Sequence, residues 1–172
     1  MNKKTNKVLE DNGKWLLIDI STKTHPSATM AVDSCDWNMH DGGRVYACKY
    51  GSSKYIYGSF RSKERMRLFH RSVISGDEID HIVHGTMTFV DNRRSNLRLV
   101  TVSQNHMNSS ARSDSETGIA GISWDKARSK WRADIKVNNI GMFLGRFVNI
   151  DFAIGARKQA EREYFGEYAF GV

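Results

Sequence analysis

Residues 80–108 read DHIVHGTMTFVDNRRSNLRLVTVSQNHMN, and the predicted fold and chemistry of this chain centre on that stretch. It opens with an Asp-His pair at the end of a short apolar run. Asn96 stands directly before a run typical of a strand, and Asn105 follows it by nine positions. We therefore expect two strands and a helix to bring together a carboxylate, an imidazole and two amides.

The local pattern of this stretch predicts strand, loop, strand and helix in that order. The predicted bounds are 78–83 for the first strand, 84–91 for the loop and 97–101 for the second strand. Thr101 can cap the helix, because Gln104 three residues later completes a capping box. Asn105 and Asn108 then lie one turn apart on one face of that helix.

One carboxylate and one amide oxygen make a sparse site of hard ligands. If Asp80 and Asn105 meet, such a site suits Mg²⁺, which keeps several waters and takes further ligands from substrate phosphate. His81 points to the opposite side of its strand and could take a proton from water. Taken singly, an Asp-His pair and a helix-start Asn are more often structural. A zinc site of His81, His84 and His106 is a weaker alternative, because no cysteine lies near them.

The segments before this stretch predict a β-hairpin followed by a basic run and a short helix. Gly and Ser turn signals separate two runs of strand-forming residues, at 44–50 and 55–60. Residues 61–71 carry four Arg and Lys63 against a single acid, Glu64. This run is either a solvated surface or an edge that contacts phosphate. The short helix is predicted within residues 69–74.

The end of the chain predicts a three-stranded antiparallel sheet packed on one helix. Residues 109–117 have the composition of a linker. Beyond them, Trp131, Ala133 and Ile135 alternate with polar residues, which indicates a half-buried strand between two others. Asn149 can cap the final helix, with Phe152, Ala153, Ala156, Ala160 and Tyr164 predicted on one face. Gly166 is expected to end that helix.

The composition is that of a protein with a packed core and a basic surface. Of the 172 residues, 40% are hydrophobic, and the net charge of +7 favours a polyanionic partner. Cys35 and Cys48 form no CxxC pair, which argues against a zinc ribbon or a disulfide framework. No run is long enough for a signal peptide or a membrane span. We therefore expect a location in the cytoplasm and no membrane partner.

The combined pattern resembles the HNH, or ββα-metal, nuclease family, particularly the small homing endonucleases of phages and mobile introns. Members of that family show a His-Arg, an Asp-His, an Asp-Asn-Arg-x-x-Asn-Leu-Arg run and a Thr-x-x-x-Asn-x-x-Asn run. The matching residues here are His70-Arg71, Asp80-His81, residues 91–98, and Thr101 with Asn105 and Asn108. Residues 43–110 carry this resemblance, and the loop of residues 84–90 is longer and more apolar than the family's usual turn.

The resemblance implies a role for each matching residue. Asp80 and Asn105 would be ligands of Mg²⁺ or another divalent cation such as Mn²⁺. His81 would be the general base, and Asn96 would complete the catalytic group by bracing the loop with hydrogen bonds. His70 and Arg71 would support the site or touch backbone phosphate, and Arg93 and Arg94 are further candidates for DNA contact.

Residues 118–172 resemble an AP2 DNA-binding domain, which often follows HNH in this group. The matching segments are 121–124, 130–133, 144–147, the alanine-faced helix and 165–169. That family lays its sheet in the major groove, and strand parity turns Arg132, Asp134 and Lys136 outward. Asp134 could accept from a cytosine amine or only neutralise an arginine. Trp124 and Trp131 are expected in the core. Further candidates for DNA contact are Lys126, Arg128 and Arg146.

The sequence thus predicts an α+β protein with a ββα-metal nuclease unit after a β-hairpin and a C-terminal AP2-like unit. The predicted divisions are an N-terminal segment of unclear role at 1–42, the HNH unit at 43–110, a linker at 111–117 and the AP2-like unit at 118–172. The implied function is sequence-specific, metal-dependent cleavage of double-stranded DNA by a monomer or homodimer. The alternatives are a non-catalytic DNA-binding regulator on an HNH scaffold and an RNA-binding accessory protein.

Overall fold

The computed structural model has an α+β fold, as predicted. It describes residues 6–40, 43–51, 53–62, 65–108, 111, 115 and 117–169. The chain divides into two compact units, Met1–Val100 and Thr101–Val172. Among the described residues, no helix is long and apolar enough to cross a membrane.

The N-terminal unit holds nine short strands, two short α-helices and a 3₁₀ helix at Arg94–Asn96. The strands are β1 (Val8–Asp11), β2 (Trp15–Asp19), β3 (Thr29–Asp33), β4 (Val45–Cys48), β5 (Tyr57–Arg61), β6 (Met66–Leu68), β7 (Ile79–His81), β8 (Phe89–Asp91) and β9 (Leu97–Leu99). The helices are α1 (Ser34–Met39) and α2 (His70–Val73). Three sheets result, with the strand orders β1-β2-β3-β8, β4-β5-β6 and β7-β9.

Three of the four strands of the first sheet lie in the N-terminal segment, for which the sequence indicated no clear role. Strand β2 buries alternate residues, Leu16 and Ile18, whereas β3 lies between two strands and buries Met30, Ala31 and Val32 in succession. Strand β8 pairs with β3 in parallel, with Ala31 opposite Asp91. The predicted loop at 84–91 therefore ends in a strand, because Val90 is buried and completes this sheet.

The second sheet confirms the predicted hairpin, since β4 and β5 pair antiparallel and β6 adds a third strand. Helix α2 lies within the predicted residues 69–74. A single hydrophobic core joins residues on both sides of residue 42, including Ile18 and Met30 with Val45 and Phe69. The described residues of the segment at 1–42 therefore contribute to the core of this unit and do not form a separate piece.

The third sheet is the antiparallel pair β7 and β9, as predicted. Its register sets Asp80 opposite Arg98 and His81 opposite Leu97. Residues that face each other across an antiparallel pair project to the same side. Asp80 and Arg98 therefore share one face of this pair, and His81 lies on the other.

The C-terminal unit confirms the predicted sheet packed on one helix. Its elements are α3 (Val102–Met107), β10 (Ile122–Asp125), β11 (Lys130–Val137), β12 (Ile140–Phe147), α4 (Ile150–Tyr164) and a 3₁₀ helix at Gly166–Tyr168. The sheet order is β10-β11-β12, and both pairings are antiparallel. The turn between β11 and β12 holds Asn138 and Asn139 at φ of 49° and 67°, which suits a tight hairpin turn.

Helix α4 begins after its Asn149 cap and ends just before Gly166, whose φ is 52°, as predicted. Its buried face is narrower than expected, because Ala153 and Ala160 are buried while Phe152 is 70% exposed and Tyr164 is also exposed. The small alanines let the helix approach the sheet closely, and the two aromatic side chains project outside that contact.

Helix α3 belongs to this second unit. Met107 packs against the cluster of Ile135, Ala160 and Phe165. The division of the chain thus falls at Thr101, ahead of the linker predicted at 111–117. Of that linker, the structure describes only residues 111, 115 and 117.

Candidate functional site

Asp80 is a buried carboxylate held by an arginine. It is 4% exposed, and its Oδ2 accepts hydrogen bonds from Arg98 Nε at 3.1 Å and Nη2 at 2.9 Å. Its Oδ1 lies 3.8 Å from Nε2 of His84. The strand register causes the arginine contact, because Asp80 and Arg98 are direct cross-strand neighbours. The buried negative charge of Asp80 is thus paired with the guanidinium group of Arg98.

His81 is 7% exposed, and its ring makes a hydrogen bond with a buried amide. Its Nε2 lies 2.8 Å from Oδ1 of Asn92. Burial lowers the pKa of His81, and the hydrogen bond to Asn92 acts in the opposite direction. The ring is therefore neutral near pH 7, as a group that takes a proton must be.

Asn92 is a site residue to which the sequence pattern assigned no role. It is 0% exposed, and its backbone N–H donates to the carbonyl of Ala31 at 2.9 Å. Its Nδ2 lies 3.0 Å from Sδ of Met30. Its place beside Asp91 in the matching run was visible in the sequence. Its contact with His81 depends on the pairing of β8 with β3, some sixty positions apart, which no local pattern indicates.

His70 is the second buried imidazole of this cluster. It is 4% exposed, and its ring centroid lies 4.8 Å from that of His81 in an edge-to-face arrangement. Tyr57 lies near both rings, at 6.0 and 6.2 Å. Burial, followed by the nearby His81 and Arg71, lowers the pKa of His70 from 6.5 to about 3. Within the described residues its Nδ1 is buried without a hydrogen-bond partner.

Asn96 braces the loop that follows β7. Its Oδ1 accepts from the backbone N–H of Val83 at 2.8 Å. Its Nδ2 donates to the carbonyls of Val83 and Asp91, both at 3.0 Å. The structure thus gives Asn96 the hydrogen bonds that the resemblance implied, and its contribution to catalysis stays a prediction.

Two of the arginines predicted to contact DNA lie in ion pairs within the unit. Arg93 makes a two-pronged contact with Asp91, at 2.9 and 2.6 Å. Arg94 makes a second such contact with the buried Asp36, at 2.8 and 2.6 Å. These hydrogen bonds raise the pKa of both guanidinium groups. Arg71 is exposed, and its Nη2 lies 3.7 Å from Oε2 of Glu78.

The structure is compatible with both interpretations of the basic run at 61–71, a solvated surface and an edge that contacts phosphate. Arg61, Arg65 and Arg67 are exposed, and β6 is the edge strand of its sheet. Lys63 and Glu64 lie outside the described residues. An exposed, basic sheet edge is compatible with solvation and with a phosphate contact alike.

The outer sheet face of the C-terminal unit is the side of β10, β11 and β12 that turns away from α4. It carries Asp125, Arg132, Asp134, Lys136, Phe143 and Arg146. Asp134 neutralises Arg132 through contacts of 2.7 and 2.8 Å, the second of the two outcomes considered for this acid. Arg146 holds the pKa of Asp125 below its usual range through a contact of 2.7 Å.

Phe143 is exposed between two arginines of the outer sheet face. Its ring centroid lies 5.6 Å from Cζ of Arg132 and 4.8 Å from Cζ of Arg146. Such cation–π contacts hold guanidinium groups in place at a surface. Phe143 was missed by the sequence analysis, because a bulge at Gly145 shifts the parity of β12.

The remaining C-terminal candidates differ in how firmly they are held. Arg128 lies 3.4 Å from Asp125. Lys126 and Lys136 are exposed and have no ion-pair partner within the described part of the chain. Trp131 is half-buried and packs edge to face with Trp124, which is exposed, so the expectation of core packing fails for Trp124.

Helix α3 carries the last two asparagines of the pattern. The predicted capping box is present, with Thr101 accepting from the N–H of Gln104 and its own N–H donating to the Gln104 side chain. Asn105 and His106 follow within this helix, which belongs to the C-terminal unit. Their meeting with Asp80 or His81 stays a prediction.

The described residues contain no group of three or more His, Cys, Asp or Glu able to hold a metal ion. A site of one carboxylate and one amide has only one ligand of those types. The N-terminal unit nevertheless combines a neutral imidazole in a fixed position with a buried carboxylate and its arginine, a set suited to proton transfer beside a charged substrate. No protein-family model, curated protein or solved structure matches this chain.

Proposed function

We propose that this chain is a metal-dependent DNA endonuclease of the HNH type, in which the HNH part at 43–110 cuts DNA and the AP2-like part at 118–172 positions it on the target. The observation that carries the proposal is the state of His81. It is buried, neutral and tied through Nε2, and it follows Asp80 directly along strand β7. A structural histidine needs no acidic neighbour on the other side of its strand, whereas phosphodiester hydrolysis needs both groups.

In the proposed reaction His81 takes the proton from the attacking water. Its lowered pKa keeps the ring unprotonated near pH 7, so it is ready to accept. Asn96 holds residues 83 and 91 through its three hydrogen bonds, and so keeps the loop after β7 close to the strand. Because these hydrogen bonds already fix the loop, the residues around His81 need not be ordered during the reaction, which favours proton transfer.

The metal ligands in this proposal are Asp80 and Asn105. Their oxygens fit Mg²⁺ or Mn²⁺ by chemical type, and a bound ion would supply charge stabilisation at the phosphoryl oxygens. Arg98 already balances the charge of Asp80. A divalent cation added here would leave an excess of positive charge, which DNA phosphates can offset. We therefore expect metal and DNA to bind more tightly together than apart.

The C-terminal unit would supply most of the binding affinity for double-stranded DNA. Exposed Lys126 and Lys136 can contact phosphates directly, because no intramolecular ion pair within the described residues competes for them. Arg132 and Arg146 are ordered by acids and by Phe143, an arrangement suited to reading base edges in the major groove. We place the protein in the cytoplasm, that of the host if a phage encodes it.

The test is cleavage of supercoiled plasmid with Mg²⁺ and with a chelator, scoring nicked against linear product. His81→Ala should abolish cleavage and leave DNA binding nearly unchanged. His25→Ala is a matched control, because His25 lies in a loop and, among the described residues, its hydrogen bonds are to the nearby Thr22 and Thr24. Cleavage by the folded His81→Ala protein, or none by wild type on any DNA it binds, would contradict the proposal.

A second candidate is a non-catalytic DNA-binding regulator. The ion pair of Asp80 with Arg98 favours it, because a buried and neutralised carboxylate is also a common structural element. This candidate predicts specific DNA binding that is indifferent to Mg²⁺ and to His81→Ala. Binding titrations with and without Mg²⁺ therefore separate the two functions.

A further inference from the structure

Asn92 joins the N-terminal sheet to the ring of His81. Its side chain is fully buried and has two contacts, with Met30 Sδ at 3.0 Å and with His81 Nε2 at 2.8 Å. Its backbone is fixed as well, because its N–H bonds to Ala31 in the central strand β3. A buried amide with both ends engaged has one favourable orientation, since reversal would break both contacts.

The two neighbours of the amide determine which way it points. A thioether sulfur can accept a hydrogen bond but has no hydrogen to donate, so the NH₂ group of Asn92 must face Met30. The carbonyl oxygen then faces His81 and can only accept. Nε2 of His81 must therefore carry the hydrogen. The lone pair of the neutral ring is left on Nδ1.

We infer that Asn92 is a positioning residue, which fixes His81 in the Nε2–H tautomer and so places the basic lone pair of the ring on Nδ1. The N-terminal sheet then forms part of the active centre, because Met30 and Ala31 orient the amide that orients the base. The tautomer follows from the contacts themselves, and its use in catalysis rests on the proposed nuclease function.

The nearest alternative is that Asn92 only satisfies a buried histidine. In that case the ring would keep a preference of its own, set by His70 at 4.8 Å and by the charges of Asp80 and Asp91. The two readings differ in what happens when the acceptor is removed. If Asn92 dictates the tautomer, its loss must change the distribution of the proton between the two ring nitrogens.

The tautomer can be measured directly on the full-length protein. Two-bond nitrogen–proton correlation spectra of ¹⁵N-labelled histidine distinguish the Nε2–H from the Nδ1–H form at about pH 8, where an imidazole is neutral. Wild type should show His81 as Nε2–H. Asn92→Leu removes the acceptor at similar volume, and should give a mixture or the other tautomer. Asn92→Asp retains an acceptor at the same atom and should keep Nε2–H.

Cleavage of plasmid is measured with the same three proteins. Asn92→Leu should lower kcat by on the order of 10²- to 10⁴-fold, the scale seen when a catalytic histidine is held in the wrong tautomer, with KM little changed. Asn92→Asp should recover most of the rate. A merely structural role would instead change stability without this division between kcat and KM.

Several results would overturn the inference. One is the finding that His81 of the wild type is in the Nδ1–H form. This measurement needs no variant, so it can be made even if Asn92→Leu does not fold. Another is a folded Asn92→Leu protein with an unchanged tautomer or an unchanged kcat. A wild type that shows the Nε2–H form but cuts no DNA would refute the nuclease function alone, because the tautomer is read without substrate.

Discussion

Burial of His70 should make the stability of the N-terminal unit depend on pH well above the range in which carboxylates titrate. Burial lowers the pKa of His70 from 6.5 to about 3. A group whose pKa is lower in the folded state stabilises fully above its unfolded value, and that stability is lost as the pH falls below it. The groups that face this ring are His81, Arg71 and Asp80, and only the last opposes the shift.

The size of the effect follows from the two pKa values of His70. Between about pH 7.5 and about pH 5 the unfolded chain takes up the proton and the folded ring does not, which costs about 2 kcal/mol. This is a large share of the 5–15 kcal/mol typical of a folded domain. His81 shifts in the same direction, so the total loss for wild type will be larger.

A variant without a titrating group isolates the contribution of His70. The free energy of unfolding is measured in urea at a series of pH values for wild type and His70→Gln. Both proteins carry Trp124→Phe and Trp131→Phe, so that fluorescence reports only Trp15 and Trp37 of the N-terminal unit. Wild type should lose about 2 kcal/mol more than His70→Gln over this pH range. A difference below about 0.5 kcal/mol would refute the reasoning, because it would mean that the protonated ring is well solvated in the folded protein.

Three further predictions concern single contacts. Gly121→Ala should destabilise the C-terminal unit by at least about 2 kcal/mol in thermal unfolding, because φ is +74° and a backbone carbonyl blocks the new Cβ. Gly118→Ala is the control: its φ is +65° but the new Cβ would enter open space, so the cost should be only about 1 kcal/mol. Arg94→Ala should cost about 1–2 kcal/mol in urea unfolding, because it leaves the buried Asp36 carboxylate without its half-exposed guanidinium partner; an unchanged stability with weakened DNA binding would instead favour a phosphate contact. Thr101→Ala should cost about 1 kcal/mol by removing the helix cap, and Thr101→Ser should restore most of it.

The C-terminal unit was largely predictable because its elements are specified by local patterns. The middle strand alternates apolar and polar residues over its whole length, and capping residues mark both ends of the long helix. The wrong predictions for this unit came from features that the regular repeat of a strand or helix does not describe. The bulge at Gly145 turned Phe143 outward, and the close approach of α4 through alanines left Phe152 at the surface.

The arginines show a second limit of the pattern. In the sequence, Arg93 and Arg94 are two adjacent cations in a run that resembles a DNA-binding motif. In the fold they diverge, and each meets an acid, Asp91 in one case and the distant Asp36 in the other. A charge count cannot anticipate this, because the availability of a cation depends on which carboxylates the fold brings to it.

The contribution of the first forty residues could not be read from their sequence, and the reason bears on how the candidate site is built. Strand β8 is only three residues long and has no turn or alternation to mark it. It forms because β3, about sixty positions earlier, offers it a free edge in a buried sheet. That pairing seats Asn92 over Met30 and against His81. The state of the histidine in the Asp-His pair therefore depends on a sheet whose other three strands, β1, β2 and β3, lie outside the recognisable motifs. A substitution that destabilises β3 should therefore disturb the orientation of His81 more than that of Asp80. Arg98 holds Asp80 independently of β3, through the β7–β9 pair.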